Sequence, residues 1–250
     1  MKQVMTMAAV VLLAASAAVA GEYTEIFDQT YAMDHGGQVG LENINGDVTI
    51  EVWDEAEVRV YAVKSASSPE RLEALRVDVD ASARGVFVDT HYPNSRDLSD
   101  HDRHGRSEVE YTLTVPRFAT IDGVELVNGD LLIDGVEGDV EADTVNGEIV
   151  VRGATGEIEL ETVNGGIELE VDSGLSKKVS LSSVNGTIEV FLSGSADVRA
   201  ETVNGKIRND FGIEVKKGKY VGSSMNGSVG SGGPLLDLET VNGGIWVSSR

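Results

Sequence analysis

The 250-residue sequence contains no cysteine. That excludes a disulfide framework, a thiolate nucleophile, a thiolate metal site and a lipid-bearing cysteine behind a leader. Prolines number only 4 against 29 glycines, a balance that suits many tight turns rather than stiff linkers. Aromatic residues make up 5% of the chain, which leaves few platforms on which a sugar could stack. Bases are also short: 20 Lys and Arg face 42 Asp and Glu, for a formal net charge of −22. Such a surface repels nucleic acid and anionic lipid, so no nucleic-acid partner is expected. Stability must come from packing and backbone pairing.

Only one long apolar run is present, at the start. Lys2 supplies a positive end, Ala8 to Ala18 is almost wholly apolar, and Ala18-Val19-Ala20 before Gly21 has the small-x-small form of a cleavage site. Residues 1–20 are therefore expected to be a signal peptide. A membrane anchor needs about twenty apolar residues, more than this run holds. No later segment is long and apolar enough, so the mature chain is expected to lack a transmembrane segment and to be exported, to the periplasm, the cell surface or the medium.

What the chain has in abundance is one short phrase. ETVNG stands at 161–165, 201–205 and 239–243, with ELVNG at 125–129, DTVNG at 143–147, SSVNG at 182–186, SSMNG at 223–227 and an earlier relative, NING, at 43–46. The asparagines from 128 to 242 lie 16 to 22 residues apart, the period of a solenoid or an array of hairpins. Four residues before each asparagine stand Val124, Ala142, Leu160, Leu181, Ala200, Gly222 and Leu238. Three after come Leu131, Ile149, Ile167, Ile188, Ile207, Val229 and Ile245, and five after come Ile133, Val151, Leu169, Val190 and Val247, with Asn209 and Ser231 breaking the series. Each unit reads as an alternating strand, an Asn-Gly bend and a second alternating strand. Asparagine tolerates the left-handed region and glycine enters it freely, so the pair is expected to turn the chain.

Asn-Gly is also a strong hairpin signal, so an antiparallel meander is the alternative. A meander has no need of the same residue in every corner, whereas stacked corners at about 4.8 Å can form side-chain ladders. The expected fold is all-β: a solenoid-like stack of Asn-Gly-cornered strand pairs over residues 122–250, behind an N-terminal β cap over 21–121. In that cap, strands are expected at 46–53, 57–64, 76–81, 85–92 and 108–115, and a short helix at 69–75, where Ser68 can cap and Pro69 suits the first turn. The polar stretch 93–106 reads as a long loop.

The recurring T-V-N-G units, the segment LENINGDVTIEVWDEAEVRVYAVK at 41–64 and the strand YTLTVPRFATI at 111–121 together resemble the bacterial putative-adhesin family of exported β-strand-repeat proteins. The resemblance spans nearly all of the mature chain. It implies a repeat architecture and an envelope compartment, and assigns no mechanism.

No catalytic constellation is visible, so the chain is not expected to be an enzyme. There is no G-x-S-x-G elbow. His91, His101 and His104 lie in or beside the loop, and His101-x-x-His104 with Asp100 and Asp102 has zinc-ligand chemistry, but a mixed-charge loop usually just faces water. The best-defined acidic group lies three and five residues before the asparagines: Glu125, Glu141, Asp143, Glu159 and Glu161 share one outward face in this register. Stacked carboxylates repel, and a hard cation such as calcium, weakly bound, would relieve them; the competing reading is a soluble acidic face. The expected function is a non-catalytic envelope or surface protein, adhesin-like, offering a scaffold or contact surface to envelope glycans or surface proteins. The alternative is an exported polysaccharide-binding or polysaccharide-cleaving β-solenoid enzyme, since paired carboxylates can hydrolyse glycosidic bonds.

Overall fold

The computed structural model describes residues 22–94, 104–172, 174–218 and 221–250. The expected signal at 1–20, His101 and most of the loop between 93 and 106 lie outside the described residues. Two large sheets face each other across a single apolar core. The first sheet has ten strands and the second eleven.

The centre of the stack is parallel and follows the repeat. In the second sheet Gln38–Asn45, Thr120–Asn128, Val140–Asn146, Ile158–Asn164 and Val179–Asn185 lie side by side. Each turns through its Asn-Gly corner into a strand of the first sheet, in the order Val48–Trp53, Leu131–Asp134, Ile149–Arg152, Ile167–Val171 and Ile188–Leu192. The apolar columns point inward as the alternation requires. Ile167 is 1% exposed and pairs with Ile149 on one side and Ile188 on the other. The solenoid-like stack is thus the observed fold, and NING is a true corner of it.

The corners form the expected ladder. Asn128 Nδ2 donates to Asn45 Oδ1 at 3.0 Å, Asn146 to Asn128 at 2.9 Å, Asn164 to Asn146 at 2.9 Å and Asn185 to Asn164 at 2.9 Å. The glycine's role differs from the expectation. No asparagine, and no other non-glycine among the described residues, has positive φ, and of the ladder glycines only Gly46 does. Instead, a Cβ on Gly165 would sit 1.8 Å from the carbonyl oxygen of Gly147, and one on Gly186 would sit 1.7 Å from that of Gly165. Glycine is required because the corners stack backbone on backbone. Left-handed glycines do mark the opposite corner, at Gly135, Gly153, Gly174 and Gly194.

A second difference concerns the order of the coils. The C-terminal pair Leu235–Thr240 and Ile245–Ser249 inserts between the coil of residues 179–192 and that of Ala196–Thr202 and Ile207–Asn209. The ladder follows, with Asn242 donating to Asn185 at 2.8 Å and Asn204 to Asn242 at 2.9 Å. Asn226 leaves it altogether: Ser223–Val229 runs antiparallel to Ala196–Thr202 and sets Asn226 opposite Arg199. The physical reason is column quality. The C-terminal pair brings Leu236, Leu238, Ile245 and Val247, all buried, and can be sandwiched on both sides. The 196–209 coil carries Asn209 in the inward series, and Asn209 instead holds the next loop, donating to the Ile213 carbonyl and accepting from the Phe211 and Ile213 amides. It therefore belongs at the end, where Ser223–Val229 pairs with Ala196–Thr202 and Val215–Lys217 pairs in turn with Ser223–Val229.

The other end is closed by antiparallel strands. Glu57–Ala66 pairs with Ser107–Pro116 and Tyr23–Ala32, and Arg76–Ser82 with Gly85–His91. Helix Pro69–Ala74 begins at Ser68, whose hydroxyl accepts from the Arg71 amide, and buries Leu72, with Leu75 buried directly after it. Antiparallel ends shield the exposed edges of the parallel body. No helix among the described residues is long and apolar enough to cross a membrane.

Candidate functional site

On each second-sheet strand, alternate residues face outward, so the unit E-T-V-N presents its first and third residues to solvent and buries its second. The five carboxylates expected to share a face do so, in two rows. Asp143 lies between Glu125 and Glu161, and Glu42 extends that row beyond Glu125. Glu141 pairs with Glu159 in the row beside it. All are exposed. Among the described residues none of the five makes an ion pair, and no group of three or more acidic or histidine side chains is placed to hold one metal ion. Partial withdrawal from water, and then the charges of Glu161, Glu125, Glu141 and Glu159, push the Asp143 carboxyl up to about 6. Beyond Ser182 the long row resumes with Glu239 and Glu201, where Arg199 stands 3.6 Å and 3.4 Å from them.

The residue just before each asparagine forms a second column that sequence reasoning passed over. Ile44, Val127, Val145, Val163, Val184, Val241 and Val203 follow one another across seven neighbouring strands and are 39 to 47% exposed. The signal was present in every T-V-N-G, because period-2 alternation puts that valine on the same face as the acids. Between ridge and row lies a groove, about 540 Å³ along Ile44 to Val184 and continuing as about 370 Å³ along Val184 to Val203. Its floor is the buried column Thr144, Thr162, Ser183, Thr240 and Thr202. Ser183, Thr240 and Thr202 hydroxyls donate to the carbonyls of Gly165, Gly186 and Gly243 at 3.0, 3.1 and 2.9 Å, which ties the groove floor to the corners.

Among the described residues no histidine lines this groove. His91 ends a strand, with Nε2 2.9 Å from Asp78 and 3.4 Å from Asp89.

Several solved structures are similar to the chain. A putative cell adhesion protein from Clostridium sporogenes is 12% identical, covers 90% of this chain and 100% of its own, and superposes with a TM-score of 0.49. A putative adhesin from Bacteroides fragilis is 13% identical over 90% of this chain and 97% of its own, at 0.42. A putative lipid binding protein from Parabacteroides distasonis is 10% identical over 92% and 97%, at 0.26. No curated protein sequence matches. At such identities nothing about activity passes from these proteins to this one. The match to a family model is of a different order, running from residue 31 to residue 248, and it bears out the kinship read from the T-V-N-G units: the chain belongs to the Toastrack DUF4097 family.

Proposed function

We propose that this chain is a non-catalytic, exported envelope or surface protein, adhesin-like in the sense that its second-sheet face binds surface proteins or envelope glycans. The observation that carries the reading is the ridge: seven apolar side chains, each about two-fifths exposed, held in line by a ladder of hydrogen bonds. Contiguous exposed apolar surface with a polar rim is the usual mark of an interaction site. Calcium drawn weakly to the rows of Glu125, Glu141, Asp143, Glu159 and Glu161, with no three of them caging one ion, belongs to the same proposal. The test is binding of the labelled chain to isolated cell envelopes. Saturable binding, weakened by Val145→Thr with Val163→Thr, is the expected result. Absence of saturable binding, or recovery of intact Met1 protein from the cytoplasm, would count against it.

One observation favours the polysaccharide-cleaving alternative. Asp143, with its carboxyl pushed up to about 6, stands between Glu125 and Glu161, so a raised acid lies beside further carboxyl groups as a general acid and its partner require. New reducing ends from acidic or neutral polysaccharides, lost in Asp143→Asn, would establish it.

A further inference from the structure

We infer that the ridge and the acidic row together dock a cationic amphipathic α-helix of a partner polypeptide, laid along the axis of the stack. The inference rests on the proposed binding role of this face and names the partner's chemistry.

The argument starts from the side chains. Val127, Val145 and Val163 offer apolar surface, and two residues earlier on the same strands Glu125, Asp143 and Glu161 offer charge that no base among the described residues neutralises. A partner that covered only the ridge would strip water from those carboxylates without replacing it. A partner carrying only positive charge would leave the valines wet. The complementary surface is an apolar stripe flanked by Lys or Arg.

Geometry selects the helix. Ridge and row run across the strands, rung by rung, at about 4.8 Å, so the seven rungs span about 29 Å, the length of a helix of about 20 residues. The turns of that helix, about 5.4 Å apart, stay nearly in step with the rungs, whereas same-side residues of an extended strand repeat only every ~6.7 Å. Ridge and row are themselves two residues apart on a strand, about 6.7 Å, which an apolar stripe and its flanking charges can bridge.

Other occupants fit less well. A second copy of this chain would bring the same acids to the same rungs. Anionic lipid and nucleic acid meet a chain of net charge −22. A glycan would find no aromatic side chain among those lining the groove. The charge is also graded along the face: Arg199 already sits among Glu201, Asp237 and Glu239, while the Glu125 end is bare. The partner's bases therefore concentrate toward Glu125, Asp143 and Glu161.

The experiment uses the full chain and a labelled synthetic helix of leucine and lysine, about 20 residues long, with leucines at helical spacing. Fluorescence anisotropy should show saturable binding that weakens with salt. A leucine–glutamate counterpart should not bind, and oligolysine of equal charge should bind about tenfold more weakly. The triple variant Glu125→Gln, Asp143→Asn, Glu161→Gln should lose about tenfold in affinity, and so should Val127→Thr, Val145→Thr, Val163→Thr, an isosteric change at exposed sites whose melting curve checks the fold. Glu201→Gln with Glu239→Gln should matter less. Equal affinity for oligolysine and the amphipathic helix, or full affinity in the valine variant, would overturn the proposal. Saturable envelope binding by a chain that ignores the helix would reject this partner and leave the binding surface standing; loss of both would reject both.

Discussion

The two sheets are made by the same coils in the same register, yet they treat charge differently. On the first sheet Arg152 stands 3.2 Å from both Glu168 and Glu170, Arg250 lies 3.1 Å from Glu170 and also pairs with Asp172, and Arg208 covers the ring of Trp246. Glu189 and Glu108 are exceptions there: partial burial and then Glu168 and Glu148 push Glu189 up, and partial burial and then Glu110, Asp47 and Glu22 push Glu108 up. On the second sheet the row through Glu125, Asp143 and Glu161 has no such partner among the described residues, and an apolar ridge runs beside it. Because the backbone and the core are common to both sheets, the fold does not dictate the outward side chains. Two carboxylates on neighbouring rungs repel by about 0.9 kcal/mol in bulk-water dielectric. The row through Glu125, Asp143 and Glu161 carries this repulsion, whereas Arg152 relieves it for Glu168 and Glu170.

The largest expected effect tests what the sheets share. Ile167→Asp would place an unpaired carboxylate in the column between Ile149 and Ile188, and should cost several kcal/mol or abolish folding. Gly165→Ala, which would drive a Cβ into the Gly147 carbonyl, should do comparable damage through overpacking at the corner. Thermal denaturation measures both. Near wild-type melting for either variant would mean that the columns or the corner stacking are misplaced, and the comparison of two faces on one core would lose its basis.

A charge exchange between the faces should move stability by about 1 kcal/mol in opposite directions. Arg152→Met leaves Glu168 without its base and Glu170 with Arg250 alone, and makes the first sheet resemble the second. Asp143→Lys places a base between Glu125 and Glu161 and makes the second resemble the first. The first variant should melt lower than wild type and the second higher. The same sign for both would show that neither face depends on how its charges are ordered.

Much of this comparison was legible in the sequence, and the parts that were not have physical causes. Alternation around each asparagine located Ile167 in the core and put Glu125, Asp143 and Glu161 on one outward row, because both facts follow from period-2 geometry alone. Coil order was not legible, because sequence adjacency says nothing about which coil can be buried on both sides. Asn209, noted as a break in a column, was the signal that its coil belongs at the end. SSMNG carried the motif but not the columns, with Gly222 and Ser231 where apolar residues were needed, and its strand runs antiparallel. The valine ridge was overlooked because its residues were read as part of a corner rather than as a column of their own. Asn-Gly was expected to turn the chain and does, but the close stacking of glycine on the neighbouring glycine's carbonyl depends on which coils meet, a fact that no single copy contains.

Protonation sharpens the contrast on a smaller scale. The Asp143 carboxyl stands at about 6 in the folded chain against an ordinary 3.8, so between those values the folded state holds a proton that the unfolded state has released. Stability contributed at this site therefore falls as pH rises from about 4 to about 6, and the penalty persists above that. Because Asp143 is exposed, solvent screening limits the effect to no more than about 1 kcal/mol. Melting temperatures of wild type and Asp143→Asn should differ most at pH 7 and above, with the variant higher, and converge near pH 4. A constant difference across this range would show that the row does not hold Asp143 above its ordinary value.

The smallest effect concerns calcium and the five carboxylates. A row of acids at about 4.8 Å spacing supplies oxygen ligands from neighbouring rungs, and hard cations bind such surfaces with millimolar constants in extracellular modules. At a free calcium concentration equal to its Kd, mass action stabilises the folded state by RT ln 2, about 0.4 kcal/mol. Screening of the net charge of −22 would raise stability as well, so the control is sodium chloride at matched ionic strength. The difference between the two salts should appear as a rise of a degree or two in melting temperature, on the order of that expected for a chain of this size. It should vanish in Glu141→Gln, Asp143→Asn, Glu161→Gln and survive Glu168→Gln with Glu170→Gln, since the latter pair already has Arg152. Equal shifts with calcium and with matched sodium would mean that the row attracts cations only as a diffuse cloud.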